Sequence, residues 1–343
     1  MNRKNFFVGA ALVSGLLMAS QAHAFRFLTC NGNPIVWGGP FEMMQNTFSI
    51  PGGSTRQNAM KNAVDRWNGV IGMQDMVSMS VFGTTGNVIT TGDGQNDVAV
   101  TARANIGGKN GLTLMRRSLC VLSSSWGEAD VFVASDLNFG HVNEDTLTST
   151  SGRSTFLHEF GHAHGLLHQQ RANYMRATQP RPVVGGPNET VDPLPDDAAG
   201  GRFLYPSGFL EINLFASAFR RTSGDSIVLN QTGTQTFCSK GGGSITLNAT
   251  IGNNGNVPQF RNERWWVSTS NNDHDNSSGF QIFEQDDMFF DAEKTTQSTV
   301  TFKMPALPAG TYFLYHGADV LGTESRKDDN AVREAMKINV IDC

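Results

Sequence analysis

The order of apolar and polar positions divides this chain into two differently patterned parts. From Ser54 to Asn68 the apolar residues Ala59, Met60, Ala63, Val64 and Trp67 recur at three- and four-residue spacing. That is the period of a helix with one buried face, and Ser54 or Thr55 is placed to cap its start. Val77–Phe82, Asp97–Ala102, Leu112–Ser123 and Ala129–Ala134 read as short strands. A Ser/Thr-rich stretch, Asn143 to Ser154, leads into a helix around His158 on which Phe156, Leu157 and Phe160 form the face turned to the sheet. An irregular loop holding Pro180, Pro182, Gly185, Gly186 and Pro187 follows, and a short helix runs from Asp196-Asp197 to near Leu204. Strands with segregated helices predict an α+β domain.

After Pro206 the period shortens to two. Glu211–Phe219, Ser244–Ile251, Trp265–Ser270, Thr299–Lys303, Thr311–His316 and Met336–Ile341 alternate between turns of Gly, Asn and Asp. In Ser244–Ile251 the residues Ile245, Leu247, Ala249 and Ile251 all fall on one face, as in a half-buried strand. Roughly seven such strands suffice for an all-β, immunoglobulin-like sandwich. Trp265 and Trp266 are adjacent, so on a strand one should face the core and the other outward.

Four of the eight histidines lie in eleven residues, His158-Glu159-Phe160-Gly161-His162-Ala163-His164-Gly165-Leu166-Leu167-His168. The string fits H-E-x-x-H-x-x-G-x-x-H. Helical i, i+4 spacing puts the imidazoles of His158 and His162 on one face, a turn apart. Gly165 permits positive φ, so the helix can end and the chain swing back to deliver His168 as a third nitrogen. Three nitrogens leave one position of a tetrahedral zinc open for water, and Glu159 stands beside the first ligand as a base that does not itself ligate. His164 falls off the ligand face.

The first 24 residues read as a secretory signal peptide: Arg3 and Lys4, an uncharged run from Phe6 to Ser20, and Ala22-His23-Ala24 at the cleavage positions. Losing Arg3 and Lys4 would move the formal charge from −5 to −7. A mildly acidic exported chain without a basic patch is not built to bind nucleic acid, and no later stretch is long and apolar enough to span a membrane. Four cysteines remain, and the even number in an exported chain predicts disulfides. Two lie on each side of the change in pattern, which favours Cys30–Cys120 and Cys238–Cys343. Each closes a loop of about 100 residues, contributing roughly 4 kcal/mol in the chain-entropy model. The rival role for Cys30 is a thiolate capping the metal in a latent enzyme.

The long histidine string, with Met175 seven residues after His168 in Ala172-Asn173-Tyr174-Met175, resembles the metzincin zinc peptidases and within them the matrixin-like branch. Asp196-Asp197-Ala198-Ala199-Gly200-Gly201-Arg202-Phe203-Leu204-Tyr205 is similar to the helix that closes the matrixin catalytic domain, and Asp93-Gly94-Gln95-Asn96 and Glu128-Ala129-Asp130-Val131 resemble bacterial matrixin-like segments. The resemblance implies a metzincin-like α+β catalytic domain, a methionine turn at Met175 beneath the zinc, and one catalytic Zn²⁺ on His158, His162 and His168. Departures are the lack of a cysteine-switch propeptide and Ala177, where some metzincins carry a tyrosine. The later part more loosely resembles bacterial cell-adhesion-related (CARDB-like) sandwich modules, in Ala249 to Asn256 and Glu324 to Asn330.

The expected organisation is therefore a signal peptide at 1–24, a zinc peptidase domain at 25–206 and a β-sandwich at 209–343. The expected activity is secreted metalloendopeptidase chemistry on protein or peptide substrates, Glu159 acting as general base. Two alternatives stay open: an adhesin built on a metzincin scaffold, and a zinc hydrolase of non-protein amides. The sandwich is the natural place for a cell-surface or matrix partner. Calcium is a further possible ion, with Asp273, Asp275, Asp286 and Asp287 offering oxygens, although solvated turns explain these acids more simply.

Overall fold

The computed structural model describes residues 25–71, 77–80, 91–117, 125–140, 151–169, 175, 193–206, 210–222, 226–319 and 330–343. Among these residues three α-helices stand against many strands, so the chain is mostly β. The first helix, α1 (Thr55–Ile71), is the expected amphipathic one. Ser54 Oγ accepts from Gln57 N–H at 3.2 Å, and Ala59, Met60, Ala63 and Trp67 are fully buried. Beside α1 lies a five-stranded sheet in the order Val77–Ser80, Phe41–Gln45, Asp97–Thr101, Trp126–Ala134, Gly111–Arg117. Its pairings are parallel except the last, where Gly111–Arg117 runs antiparallel along the edge.

The second helix, α2 (Gly152–Ala163), carries His158, Glu159 and His162. Ser151 caps it, its Oγ accepting from Ser154 N–H at 3.0 Å and so satisfying one orphan donor of the first turn. Trp67 of α1 donates its indole N–H to Leu157 O at 2.7 Å and locks the two helices together. Past α2, Leu166–Leu167 pairs antiparallel with Arg26–Phe27. The start of the described chain thus braces the strand that leads into His168. Phe25 and Phe27 rest on Phe203 of the third helix, α3 (Pro195–Leu204), with ring centroids 5.3 and 5.1 Å away.

The later part is two sheets packed face to face. Leu214–Ala216, Ser244–Asn253 and Lys294–Lys303 form one; Thr234–Cys238, Ala331–Ile341, Gly310–Ala318, Gln259–Ser268 and Phe280–Phe290 form the other. Ile245, Leu247 and Ala249 from the first meet Trp265, Leu314 and Ile338 from the second. All-β architecture here agrees with the sequence pattern. Cys238 and Cys343 are disulfide-bonded as expected, with Cα atoms 5.7 Å apart. Cys30 is buried and disulfide-bonded, so it offers no thiolate to a metal; Cys120 lies outside the described residues.

The expectation for the tryptophan pair fails. Trp265 and Trp266 are both buried, because both faces of their strand are covered. Trp265 stacks on His316 inside the sandwich at 4.7 Å, while Trp266 stacks on Tyr315 at 5.5 Å on the other side. Across the expected boundary near residues 206–209, Arg202 of α3 reaches Glu211 at 2.7 Å and Glu293 at 3.1 Å. The apolar core there is continuous: Leu204 and Tyr205 belong to the same cluster as Phe215, Phe219 and Phe290.

Candidate metal centre

The helical spacing does what it predicts. His158 and His162 project from one side of α2 with ring centroids 4.7 Å apart, and the turn after Gly165 (φ 102°) brings the His168 ring to 5.1 and 4.6 Å from them. One nitrogen from each ring lies within 4.8 Å of the others, the one such group of three metal-ligating side chains found among the described residues. His158 Nε2 and His168 Nε2 are 3.1 Å apart. A tetrahedral ion with metal–nitrogen bonds of ~2.0–2.1 Å holds its nitrogens roughly 3.3 Å from one another, so the donor set and its spacing fit such an ion. His162 Nδ1 stands 2.7 Å from Leu166 O, a carbonyl that can only accept. The proton therefore sits on Nδ1 and the Nε2 lone pair is left for a metal, the orientation that an outer hydrogen bond imposes on ligating histidines.

Glu159 is buried at the same cleft, which has a volume of 750 Å³ and is walled by Leu28, Gly111, Thr113, Met115, Trp126 and Leu167. The edge strand Gly111–Arg117 shapes the surroundings of this carboxylate. Thr113 Oγ1 donates to Glu159 Oε2 at 2.7 Å and lies 3.0 Å from Glu159 O. A Cβ on Gly111 would stand 2.5 Å from Glu159 Oε1, so glycine is what leaves the carboxylate its room. Neither contact is legible in the histidine string, because both come from a strand some 45 residues upstream.

Met175 is fully buried beneath α2. A Cβ on Gly161 would overlap Met175 Sδ and meet Trp67 Cζ2 at 2.9 Å, so the sulfur lies directly against the helix between His158 and His162. Its backbone is held as well. Met175 N–H donates to Asp197 Oδ1 at 3.2 Å, Leu194 N–H to Asp197 Oδ2 at 3.1 Å, and Gln169 N–H to Met175 O at 3.0 Å. The last of these contacts ties the methionine to the residue after His168. Asp197, in the acidic pair that opens α3, is thus the anchor of the methionine segment. The residues on either side of Met175, 170–174 and 176–192, lie outside the described residues, as does His141.

His164 turns away from the cleft and is fully buried against Trp67, Phe41 and Tyr205. Burial pushes its imidazole down to about 4, although the nearby Phe160 carbonyl favours the charged form, so it is neutral and structural. A second shifted group lies within the sheet, where Asp130 pairs with Leu114. There Asp97, Glu128 and Asp130 are all buried, and burial, reinforced by the charges of Glu128 and Asp97, drives Asp130 up to about 7.

No known family's sequence profile matches the chain. No curated protein is similar to it in sequence. Among solved structures, the chain is similar to a CARDB domain from Pyrococcus furiosus, in solution and in a crystal with di-metal ions. Identities are 10% and 11%, covering 39% and 40% of this chain and 98% and 100% of those chains, each with a TM-score of 0.25. A beta-glucosidase from Listeria innocua is 13% identical over 46% of this chain and 18% of its own, with a TM-score of 0.21.

Proposed function

We propose that this chain is a secreted zinc endopeptidase of metzincin-like, matrixin-like type, with His158, His162 and His168 as metal ligands and Glu159 as general base. The reading rests on one observation: three imidazole nitrogens converge beside a buried carboxylate in a cleft that an edge strand borders. Zinc held there would supply a Lewis acid that polarises a scissile carbonyl and makes water a better acid.

The chain's own groups do the rest. His162 Nδ1–H, given to Leu166 O, fixes that ring's tautomer and orientation. Thr113 Oγ1–H holds one oxygen of Glu159, which leaves the carboxylate aimed to take a proton from attacking water and to pass it to the departing amine. Among the described residues Gly111–Arg117 pairs on one side only, so its other backbone edge can hydrogen-bond an extended peptide laid along the cleft. That edge favours a polypeptide over a small non-protein amide as substrate. Met175, pressed on Gly161, supports the helix that carries two ligands and the base.

Export fits the disulfide Cys238–Cys343. Among the described residues, no helix is long and apolar enough to cross a membrane. The test is casein hydrolysis by the purified protein, with and without a chelator, followed by zinc add-back. The reading requires cleavage that chelation abolishes and zinc restores. Cleavage indifferent to chelation, or none at full zinc loading, overturns it. Binding to cells or matrix that persists in a cleavage-dead Glu159→Ala variant would assign adhesion to the sandwich separately.

A further inference from the structure

The connection between the strands Gln259–Ser268 and Phe280–Phe290 carries Asp273-His274-Asp275-Asn276-Ser277-Ser278-Gly279, rich in oxygen-bearing side chains. Asp273 is only 1% exposed. One of its carboxylate oxygens is engaged: Oδ1 accepts from Ser277 Oγ at 3.3 Å and from Ser278 N–H at 3.2 Å. The other, Oδ2, is shut off from solvent and has no donor, and Asn276 Oδ1 is in the same position. Both orphan oxygens stand 2.8 Å from the point where a Cβ on Gly279 would lie, so they face one small space that glycine keeps open. Two buried acceptors that border one small space without a donor are unfavourable, the carboxylate oxygen most of all. A cation between them removes both penalties.

We propose that this loop is a calcium site, with Asp273 and Asn276 supplying the inner oxygens and Asp275 an outer carboxylate. The two donors that face the space are hard oxygens, and the His274 ring packs edge-on against Tyr315, with centroids 5.4 Å apart, which favours calcium over a transition metal. An irregular loop with carboxylate, amide and water ligands suits the loose six-to-eight coordination of calcium better than the strict octahedron of magnesium. The base of the loop is already fixed. Trp266 Nε1–H donates to Asp273 O at 2.8 Å, and Tyr315 Oη accepts from Asp273 N–H at 3.3 Å and donates to Ser270 O at 2.8 Å. Calcium would therefore close a preorganised loop on the sandwich, remote from the three histidines in sequence and independent of the peptidase chemistry.

Terbium(III), a hard calcium mimic, is the probe. The indole Cδ1 of Trp266 also stands 2.8 Å from the Gly279 Cβ point, close enough to sensitise a bound lanthanide. Titrating the full-length protein should give saturable tryptophan-excited terbium emission that calcium displaces and equal magnesium does not. Calcium affinity should fall in the ~10⁻⁴–10⁻³ M range of extracellular modules. Asp273→Asn should weaken binding at least about tenfold. Asp275→Asn, on an exposed side chain whose loss leaves the fold intact, should weaken it several-fold, and both variants should keep the zinc content of the parent. No calcium-displaceable emission from the parent protein, or unchanged titrations in Asp275→Asn and Asp273→Asn, would overturn the assignment.

Discussion

Gly161→Ala tests whether Met175 really braces the ligand helix. The new methyl group would overlap Met175 Sδ and arrive 2.9 Å from Trp67 Cζ2 and 3.2 Å from Met175 Cε. In an open helix the substitution would gain about 0.8–1 kcal/mol from helix propensity. Here the thioether can swing aside, because methionine has three soft torsions. Trp67 cannot, since its indole N–H is tied to Leu157 O at 2.7 Å in a fully packed core. Overpacking costs about 1–3 kcal/mol, and a methyl that overlaps a sulfur and meets an immovable indole belongs in the upper half, about 2–3 kcal/mol, which after the propensity gain leaves a net loss of roughly 1–2 kcal/mol. Thermal unfolding should drop by about 2–8 °C, at roughly 2–4 °C per kcal/mol for a unit of this size. In a Met175→Ala background the same change should cost less, because its nearest collision is gone, giving a coupling of about 1 kcal/mol in a double-mutant cycle. A Gly161→Ala protein as stable as its parent, or strict additivity with Met175→Ala, refutes the packing argument.

Other expectations follow from the same geometry. Thr113→Val removes the donor to Glu159; at about 1.4 kcal/mol per tenfold, a lost charged hydrogen bond should lower kcat roughly tenfold at unchanged zinc content, as steady-state peptide kinetics would show. Arg202→Ala strands Glu211 and Glu293 beside a continuous core and should destabilise by about 3 kcal/mol in denaturant unfolding, whereas a loss under about 0.5 kcal/mol would show the pairs to be ornamental. The buried acid and imidazole give opposite pH slopes. Asp130 is raised to about 7, so its contribution is full below its unfolded value near 4 and is lost as pH rises toward 7; Asp130→Asn should gain on the parent across that window. His164 is lowered to about 4, so its contribution is full above its unfolded value near 6.5 and is lost as pH falls; His164→Asn should gain on the parent from pH 6.5 down to 4. Parallel stability curves for either variant and the parent would contradict the assignment.

Much of the site can be read directly because its information is local. The i, i+4 pair on α2 and the positive φ at Gly165 are dictated by residues within a few positions of one another. The same holds for α1, whose apolar stripe marks its buried face, and for Ser244–Asn253, whose alternation marks one face of the sandwich. What stays hidden depends on long-range partners. Phe41–Gln45 alternates in burial, but its residue types hide the period, because the polar Gln45 takes a buried place and the apolar Met44 a half-buried one. Phe280–Phe290 escapes for a different reason. It is an edge strand with acids and exposed aromatics, so its polar positions resemble a loop. Trp266 reads as outward-facing only if one face of its strand is covered, and the residues covering the second face, Tyr315 and Ala331, come from distant strands. The roles of Thr113, Gly111 and Asp197 likewise emerge only when separate elements meet around α2.

The most direct test is the hydrolysis rate of Glu159→Gln measured on material whose zinc content equals that of the parent. Glutamine keeps the shape and the Thr113 contact but cannot take a proton. The account predicts one zinc per chain in both proteins, unaltered unfolding, and a fall in peptide cleavage of about 10²–10⁴-fold. Cleavage at the parent's rate by zinc-loaded Glu159→Gln, or a fully active parent free of transition metal, would contradict it.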